Sequence, residues 1–342
     1  MDEYNPLKIK LAYVSGLRDI VFDEVKQTPE FKIIKEGKDC LYVEYMDDFE
    51  KIKKLHTVSR AYITTEDSKF HPMHISKHKS ILGDLIGIVI EKNNAGDFKT
   101  FNINCAGSNS EEVKEIKKYI SSEFKLADAD DADLKIYIAK IKDTWELSIQ
   151  ITPRPLSVRE YKVKNMSGAM DPTIAYALNF LCNLDMRKTY LNVFSGSATL
   201  LIEAGLHYDN LEKLIGFDND KEHLSLSIQN IKKAGLIRKI EVKEFDIFEK
   251  PELGSFDVIT SDLPFGMSIS KGEDLEKLYK AFIEYCESHL NSDGVLGVYT
   301  SEFELFERLI SQSKFSIKKE VKINLVTNEK QYLPVKIIML GF

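Results

Sequence analysis

Cysteine is scarce in this sequence. Its 342 residues include four cysteines, and no two of them are spaced as Cys-x-x-Cys. This scatter argues against a cysteine zinc site or a disulfide framework and indicates a reducing compartment. The sequence also lacks a run of about 18 continuous apolar residues, so we expect no membrane-spanning helix. Since Met1 is not followed by a signal-peptide pattern, we expect a cytoplasmic protein.

An excess of positive charge is also missing, because the net charge is −7. The charge is uneven, however, and residues 51–80 hold seven Lys or Arg against two acidic residues. A local basic patch can contact phosphates even when the whole chain is acidic. A solvated charged face explains the same residues equally well. The histidines in this segment lack carboxylate or thiol partners at useful spacing, so we predict no metal site.

The first half of the chain alternates short strand-like and helical segments. Cys40–Tyr45 has the composition of a strand, and Leu134–Ile141 and Thr144–Ile151 alternate around a turn like a hairpin. The two prolines of residues 152–155 then interrupt regular structure, because each disfavours helix in the residue before it. We therefore place a domain boundary within 152–168.

The second half is a regular alternation of strands and helices, which predicts a doubly wound α/β sheet. In such sheets the ligand binds beyond the carboxyl ends of the strands. The predicted strands are Tyr190–Phe194, Lys213–Phe217, Ile240–Phe245, Phe256–Thr260, Val295–Tyr299, Ile317–Leu325 and Val335–Leu340.

Three of these strand ends carry residues suited to a nucleoside ligand. The first strand leads into Ser195-Gly196-Ser197, a turn of small residues that opens a helix and lets an anionic group approach the backbone. The second ends at Asp218, where a carboxylate can accept hydrogen bonds from ribose hydroxyls. The third ends at Asp246 and Ile247, a carboxylate and an apolar wall suited to an adenine. Each acid taken alone could equally cap a helix or a turn.

The fourth strand end is the most specific. Asp262 and the Leu263 carbonyl can each accept a hydrogen bond from an amino group. Pro264 lacks an N–H and has a fixed φ, so it stiffens the turn. Phe265 adds a face on which a base can stack. The combination suits methylation of an amino nitrogen on a nucleobase.

Two other ligand classes fit these four strand ends less well. NAD would explain the first two features and leave the fourth unexplained. A phosphate-binding P-loop requires a Gly-Lys-Ser/Thr ending, which is absent. S-adenosylmethionine (SAM), with one carboxylate, one ribose and one adenine, fits best.

The sequence resembles the Rossmann-fold methyltransferases, and more narrowly the THUMP-domain RNA guanine-N2 methyltransferases. Residues 192–199 with Ile202-Glu203-Ala204 are similar to that family's Asp-Pro-Phe/Met-Cys-Gly-Ser-Gly-Thr…Ile-Glu-Ala motif, and residues 262–266 match the Asp-Leu-Pro-Phe-Gly form of its tRNA-modifying branch. Residues 159–162, ahead of 169–173, are similar to the segment that joins the THUMP and catalytic domains. The chain departs from the first motif at Asn192, Ser195 and Ala198.

The resemblance implies an α/β fold whose C-terminal domain is a doubly wound, Rossmann-like methyltransferase with a mostly parallel seven-stranded sheet. It implies an N-terminal α+β ferredoxin-like domain over 1–60, a THUMP RNA-binding domain over 61–155, a linker over 156–168 and a methyltransferase domain over 169–342. Asp262, Leu263, Pro264 and Phe265 would be catalytic. The cofactor-binding residues would be Thr173, Asn192, Phe194, Ser195, Gly196, Ser197, Asp218, Asn219, Asp246 and Ile247.

The resemblance also implies an activity. The expected reaction is SAM-dependent methylation of the exocyclic N2 of a guanine in tRNA, at position six or, next, position ten. We expect a monomer with tRNA as its partner, without a membrane or DNA partner and without a metal. The alternatives are an rRNA guanine-N2 methyltransferase, a glutamine-N5 or adenine-N6 methyltransferase, and a non-catalytic RNA-binding protein that retains the fold.

Overall fold

The computed structural model describes residues 6–94, 96–164, 168–264, 272–326 and 332–342. Its internal contacts divide the chain into two compact units. The first unit ends at Ser157, and the second begins at Val158 and also includes Val14–Ile20. None of the described helices combines the length and the apolar character needed to cross a membrane.

The first unit is built on an eight-stranded sheet. Its strands are β1 (Leu7–Tyr13), β2 (Lys32–Gly37), β3 (Cys40–Tyr45), β4 (Val58–Asp67), β5 (Thr100–Cys105), β6 (Ala127–Asp128), β7 (Leu134–Ile141) and β8 (Thr144–Gln150). They are ordered β2-β3-β1-β4-β8-β7-β5-β6. The predicted hairpin is confirmed, since β7 and β8 pair antiparallel with Ile141 opposite Thr144.

The helices that accompany this sheet are α1 (Arg18–Lys26), α2 (Glu50–Lys53), α3 (Lys79–Glu91) and α4 (Glu111–Phe124). Ser110 caps α4 by accepting a hydrogen bond from the Val113 N–H at 3.3 Å. The strands β1 and β4 and the helix α3 were not among the predicted elements.

The second unit contains the predicted seven-stranded sheet. Its strands are β9 (Thr189–Val193), β10 (Lys213–Asp218), β11 (Ile240–Glu244), β12 (Phe256–Asp262), β13 (Leu290–Thr300), β14 (Ser316–Val326) and β15 (Tyr332–Gly341). The order is β11-β10-β9-β12-β13-β15-β14. The first five are parallel, and β15 runs antiparallel to both of its neighbours.

The described residues of this unit also form the α-helices α5 (Pro172–Leu181), α6 (Thr199–His207), α7 (Lys221–Lys233), α8 (Gly272–His289) and α9 (Phe303–Ile310). Asp171 caps α5, and Pro172 occupies its first turn, where the missing N–H of a proline costs no helical hydrogen bond. Buried apolar side chains of the central strands, such as Val193 and Ile259, share one core with those of α8 and α9, such as Phe282. This core fixes the strands whose ends carry the candidate site.

The strand order creates a switch point between β9 and β12. From β9 the chain continues to β10 and β11 on one side, then crosses to β12 on the other. The register places Phe217 opposite Val193, and Val193 opposite Ser261. The residues that follow these strands therefore lie along one edge of the sheet, where α/β folds bind their ligands.

Candidate active site

The loop between β9 and α6 has an unusual backbone. Phe194, Gly196 and Ala198 all adopt positive φ, at 57°, 49° and 63°. The Ser195 N–H donates to the Phe217 carbonyl at 2.9 Å, which anchors the loop on β10. Left-handed residues that alternate with ordinary ones form backbone concavities that bind anions. The loop is therefore suited to the carboxylate of a cofactor.

Ser195 shows that this loop fits a ligand. Its hydroxyl is buried and has no hydrogen-bond partner within the described residues. Buried polar atoms are normally satisfied, so this hydroxyl is available to a bound molecule. The loop also packs closely on β10, because a Cβ added to Gly216 would lie 2.9 Å from the Ser195 Cβ and 2.5 Å from the Leu201 Cδ1.

Asp218 connects two strand ends. Its carboxylate accepts hydrogen bonds from the Gly196 N–H at 2.8 Å and the Asp220 N–H at 3.0 Å. The His223 Nδ1 also lies 3.5 Å from this carboxylate. Because a carboxylate has about four acceptor positions, acceptor capacity remains for a ribose hydroxyl. The neighbouring Asn219 is exposed. Asp218 therefore braces the loop of residues 194–198, which we call the cofactor loop after its predicted ligand, and retains the capacity to bind a ligand.

Asp246 and Ile247 have clear structural roles. Asp246 accepts a hydrogen bond from the Phe248 N–H at 3.0 Å and caps the short 3-10 helix Ile247–Glu249. Ile247 is buried in the core. These are the capping and packing roles that strand-end residues often have, and a contact with adenine stays a prediction.

Three other predicted cofactor residues form bonds within the protein. The Thr173 hydroxyl donates to the Asp171 carboxylate at 2.6 Å, and the Asn192 amide donates to the Thr260 carbonyl at 3.1 Å. The Ser197 hydroxyl lies 3.2 Å from that of Thr199. Asn192, which departs from the family's acid, thus ties β9 to β12. A direct cofactor contact by these side chains also stays a prediction.

The turn after β12 is held by its neighbours. The Leu263 N–H donates to the Tyr299 carbonyl at 2.9 Å, and the Tyr279 hydroxyl donates to the Pro264 carbonyl at 2.9 Å. Sequence reasoning missed Tyr279, because nothing in the local pattern of α8 distinguishes it from an ordinary core aromatic. Phe265 lies outside the described residues.

Asp262 is the most perturbed acid at this edge of the sheet. Burial raises its pKa to about 7, and the positive charge of Lys162 partly opposes that rise. Burial lowers the pKa of Lys162, whereas Asp171, Glu203 and Asp262 favour its charged form. A carboxyl group with its pKa raised towards neutral pH, at the end of a strand that neighbours β9, marks a candidate catalytic centre.

The basic segment 51–80 gives a weaker signal. Four of its seven cations pair with carboxylates: Lys51 with Glu30, Lys53 with Glu50, Lys69 with Asp67 and Lys79 with Glu115. The described residues contain no cluster of three or more His, Cys, Asp or Glu side chains that could hold a metal ion. Much of the positive charge of this segment is therefore neutralised, and the segment alone does not indicate RNA binding.

Ala198 permits a test of the loop's strain. An alanine in the left-handed conformation destabilises the folded state by about 1–2 kcal/mol relative to glycine. Glycine, however, stabilises the unfolded chain by about 0.5–1 kcal/mol, because it has more conformational freedom there. We expect Ala198→Gly to raise the free energy of unfolding by up to about 1 kcal/mol. Denaturant unfolding measures this free energy. The control is Ala204→Gly inside α6, for which we expect the free energy of unfolding to fall by about 1 kcal/mol. An Ala198→Gly variant as destabilised as the control would contradict the prediction.

Comparison with known proteins identifies the fold. The crystal structure of TrmN from Thermus thermophilus matches with a TM-score of 0.74 at 18% identity, over 98% of this chain and 99% of that one. The crystal structure of SMU.472 complexed with SAH (S-adenosylhomocysteine) matches with a TM-score of 0.72 at 16% identity, over 98% of both chains. The expected Rossmann-like methyltransferase fold is confirmed.

Two curated relatives align over much of the chain. The U6 snRNA (guanine-N(2))-methyltransferase THUMPD2 of Bos taurus is 26% identical over 87% of this chain and 56% of its own length. The tRNA (guanine(6)-N2)-methyltransferase of Methanocaldococcus jannaschii is 24% identical over 57% of this chain and 61% of its own length. The chain thus spans less than two thirds of either relative.

A family model matches most of the second unit. The model described as "RMKL-like, methyltransferase domain" matches residues 159–331, which is half of the chain. Together with the fold, this match confirms the expected methyltransferase domain, which has the fold of the SAM-dependent methyltransferases. The chain belongs to the family of RMKL-like methyltransferase domains.

Proposed function

We propose that this protein methylates the exocyclic N2 of a guanine in tRNA. One observation carries the proposal: Asp262, with a pKa of about 7, begins a braced Asp-Leu-Pro turn at the end of β12, next to the strand that leads into the cofactor loop. The names of the relatives support guanine as the base and N2 as the methylated atom, because these relatives are guanine-N2 methyltransferases of tRNA and of U6 snRNA.

The cofactor contributes an electrophilic methyl group on a sulfonium. In the proposed site the cofactor loop holds its carboxylate with Ser195, Gly196 and Ser197, and Asp218 accepts from the ribose hydroxyls. Asp246 and Ile247 border the adenine. Thr173, Asn192, Phe194 and Asn219 complete this set, as the family resemblance suggests.

Asp262 and the Leu263 carbonyl orient the target amino group. The lone pair of a guanine N2 is delocalised into the ring, so the enzyme must aim it as well as approach it. Two acceptors that bind the two amino hydrogens direct the lone pair towards the methyl donor. Positive charge grows on N2 as its bond to the methyl forms and the methyl–sulfur bond breaks, and the Asp262 carboxylate stabilises that charge. The methylated N2 then loses one proton, for which the Asp262 carboxylate is the acceptor, and SAH is the leaving group.

The rest of the turn presents the base. Pro264 is rigid, and the Tyr279 hydroxyl holds its carbonyl. Phe265 would stack on a guanine that has left its helix, because a paired guanine hides its amino edge. The turn therefore favours a flipped or unpaired nucleotide.

The first unit would bind the RNA. We propose that 1–60 is a ferredoxin-like domain and 61–155 a THUMP domain, followed by a linker over 156–168 and the methyltransferase domain over 169–342. Recognition would use the shape and the phosphates of the RNA. The Asp-Leu-Pro-Phe form favours position six of tRNA, with position ten next, and we propose a cytoplasmic monomer.

A guanine in U6 snRNA is a second candidate target. It is favoured by the bovine relative, whose alignment covers 87% of this chain, against 57% for the archaeal tRNA enzyme. An rRNA guanine is a further candidate, since the large-subunit methyltransferase K/L of Vibrio parahaemolyticus is 24% identical over 58% of the chain.

The test is methylation of three RNA pools by the full-length protein with labelled SAM, followed by nucleoside digestion. We expect N2-methylguanosine in the tRNA pool and not in rRNA or in a U6 transcript. Label in U6 alone or in rRNA alone would identify that RNA as the substrate and contradict the proposed tRNA substrate. Binding of SAM without label in any pool, or no binding at all, would favour the non-catalytic alternative.

A further inference from the structure

The segment 159–164, near the start of the second unit's main stretch, is bound to two helices of that unit by contacts that the proposed reaction does not use. Arg159 and Tyr161 bind Glu203 of α6, and Lys164 binds Asn230 of α7. The segment follows directly on Val158, where this unit begins. Both anchors lie on helices that flank the cofactor loop.

The Glu203 anchor is a buried ionic cluster. The Arg159 Nε lies 3.1 Å from the carboxylate, the Tyr161 hydroxyl donates to it at 2.7 Å, and the His207 Nε2 lies 3.4 Å away. Burial alone would raise the pKa of Glu203, but His207, Arg159 and Tyr161 together lower it. The carboxylate is therefore held charged, and it fixes the start of the segment.

The Asn230 anchor reaches the cofactor loop itself. Asn230 is 1% exposed, and its Oδ1 accepts from the Lys164 N–H at 3.0 Å. Its Nδ2 donates to the Lys164 carbonyl at 3.2 Å and to the Ser197 carbonyl at 3.4 Å. One side chain thus uses its acceptor and both of its donors to join the segment to the loop.

We infer that Asn230 is a positioning residue, which sets the geometry of the cofactor loop by holding the Ser197 carbonyl against the segment 159–164. The inference rests on the proposed placement of the cofactor at the loop Ser195-Gly196-Ser197. If so, the segment 159–164 contributes to cofactor binding in addition to being part of the proposed linker.

The planarity of the peptide bond explains the effect. The Ser197 carbonyl and the Ala198 N–H belong to one rigid peptide unit. Asn230 holds the carbonyl end of this unit, and the Ser195 carbonyl accepts from its N–H end at 2.8 Å. Ala198 has the strained φ of 63°. Without the Asn230 hydrogen bond this peptide can therefore rotate, which distorts the anion-binding backbone of the cofactor loop.

Asn179 offers a matched control. It is another fully buried asparagine, whose Nδ2 donates to the Leu200 carbonyl at 3.0 Å and whose Oδ1 accepts from the Tyr190 hydroxyl at 2.7 Å. It ties α5 to α6 and β9 without a hydrogen bond to the loop or to the segment. Asn179→Ala should therefore destabilise the unit about as much as Asn230→Ala does.

The experiment measures the SAH affinity of the full-length protein by calorimetry, along with its thermal midpoint. We expect Asn230→Ala to bind SAH about tenfold more weakly, and Asn179→Ala to bind within about twofold of the parent. Asn230→Asp keeps the acceptor for the Lys164 N–H but loses both donors, so it should bind as weakly as Asn230→Ala. In turnover assays the KM for SAM should rise more than kcat falls.

Each other outcome has a distinct meaning. Equal losses of affinity in Asn230→Ala and Asn179→Ala would reduce Asn230 to a structural role and overturn the inference. Full affinity in Asn230→Asp would do so too, because the Lys164 contact alone would then suffice. If the parent protein bound SAM but Asp218→Ala did not weaken it, the proposed cofactor site would fail first, and this inference with it.

Discussion

Asp262→Asn is expected to lower kcat by about 100- to 1,000-fold while leaving the affinity for SAM unchanged. Asparagine preserves the shape and one acceptor, but it cannot carry the negative charge that stabilises the growing positive charge on N2. For the same reason the parent's turnover should rise with pH through about 7, as the Asp262 carboxyl ionises. Single-turnover rates at saturating SAM across pH 5–9 measure both effects.

The same substitution should stabilise the fold above neutral pH. The pKa of Asp262 is raised to about 7 in the folded protein, against about 3.9 in an unfolded chain. Between these values the folded state binds the extra proton, so the parent loses stability as pH rises from about 4 to about 7. Asparagine lacks this penalty. The thermal midpoint of Asp262→Asn should exceed the parent's at pH 8, and the difference should vanish near pH 4.

Asp257, at the other end of β12, provides a control because its pKa is lowered, whereas the pKa of Asp262 is raised. Burial alone would raise its pKa, but hydrogen bonds from the Lys188 and Thr189 N–H groups and from Asn291 lower it. Asp257→Asn should therefore destabilise the protein at pH 8 and leave kcat within about threefold of the parent, since it is not near the reacting base. An Asp262→Asn enzyme that retained its kcat would remove the carboxylate from the reaction.

The order of elements in the second unit was predictable because hydrophobic runs and the residues after them are local features. Asp218, Asp246 and Asp262 each follow an apolar strand in the sequence, and parallel strands end at one edge of a sheet. The structure lengthens β12 to include Asp262 and starts β13 at Leu290. These are differences of boundary, where sequence patterns are least informative.

Helix α3 shows why part of the first unit was missed. Its sequence contains Gly83, Gly87 and several isoleucines, which disfavour helix when taken alone. Packing overrides that preference, because the Tyr119 hydroxyl of α4 occupies the space that a Cβ on Gly83 would need. A close approach between two helices distant in sequence has no local signature.

The supporting residues of the site were missed for the same reason. Tyr279, Glu203 and Asn230 act through partners 15 to 66 residues away, namely Pro264, Arg159 and Lys164. Each is an ordinary residue of an amphipathic helix in the sequence. Chemistry at strand ends can be predicted from single residues, whereas the bonds that hold those ends appear only in the fold.

Asp218→Ala should weaken SAM binding by about 100-fold or more, because hydrogen bonds to a charged acceptor contribute about 1.5–3 kcal/mol each. The substitution removes the proposed acceptor for the ribose hydroxyls. It also removes the bond to the Gly196 N–H at 2.8 Å, which braces the cofactor loop. Calorimetric titration with SAM measures the loss, and kcat at saturating SAM should fall much less.

Asp220 separates this effect from a general loss of stability. It lies two residues along the chain, and its carboxylate caps α7 by accepting from the Glu222 N–H at 2.7 Å and the His223 N–H at 3.2 Å. Asp220→Ala should lose about 1 kcal/mol of stability as a missing helix cap, yet bind SAM like the parent. If both variants lost affinity equally, the loop after β10 would matter only as a scaffold. If Asp218→Ala alone lost it, the carboxylate at the end of β10 holds the cofactor.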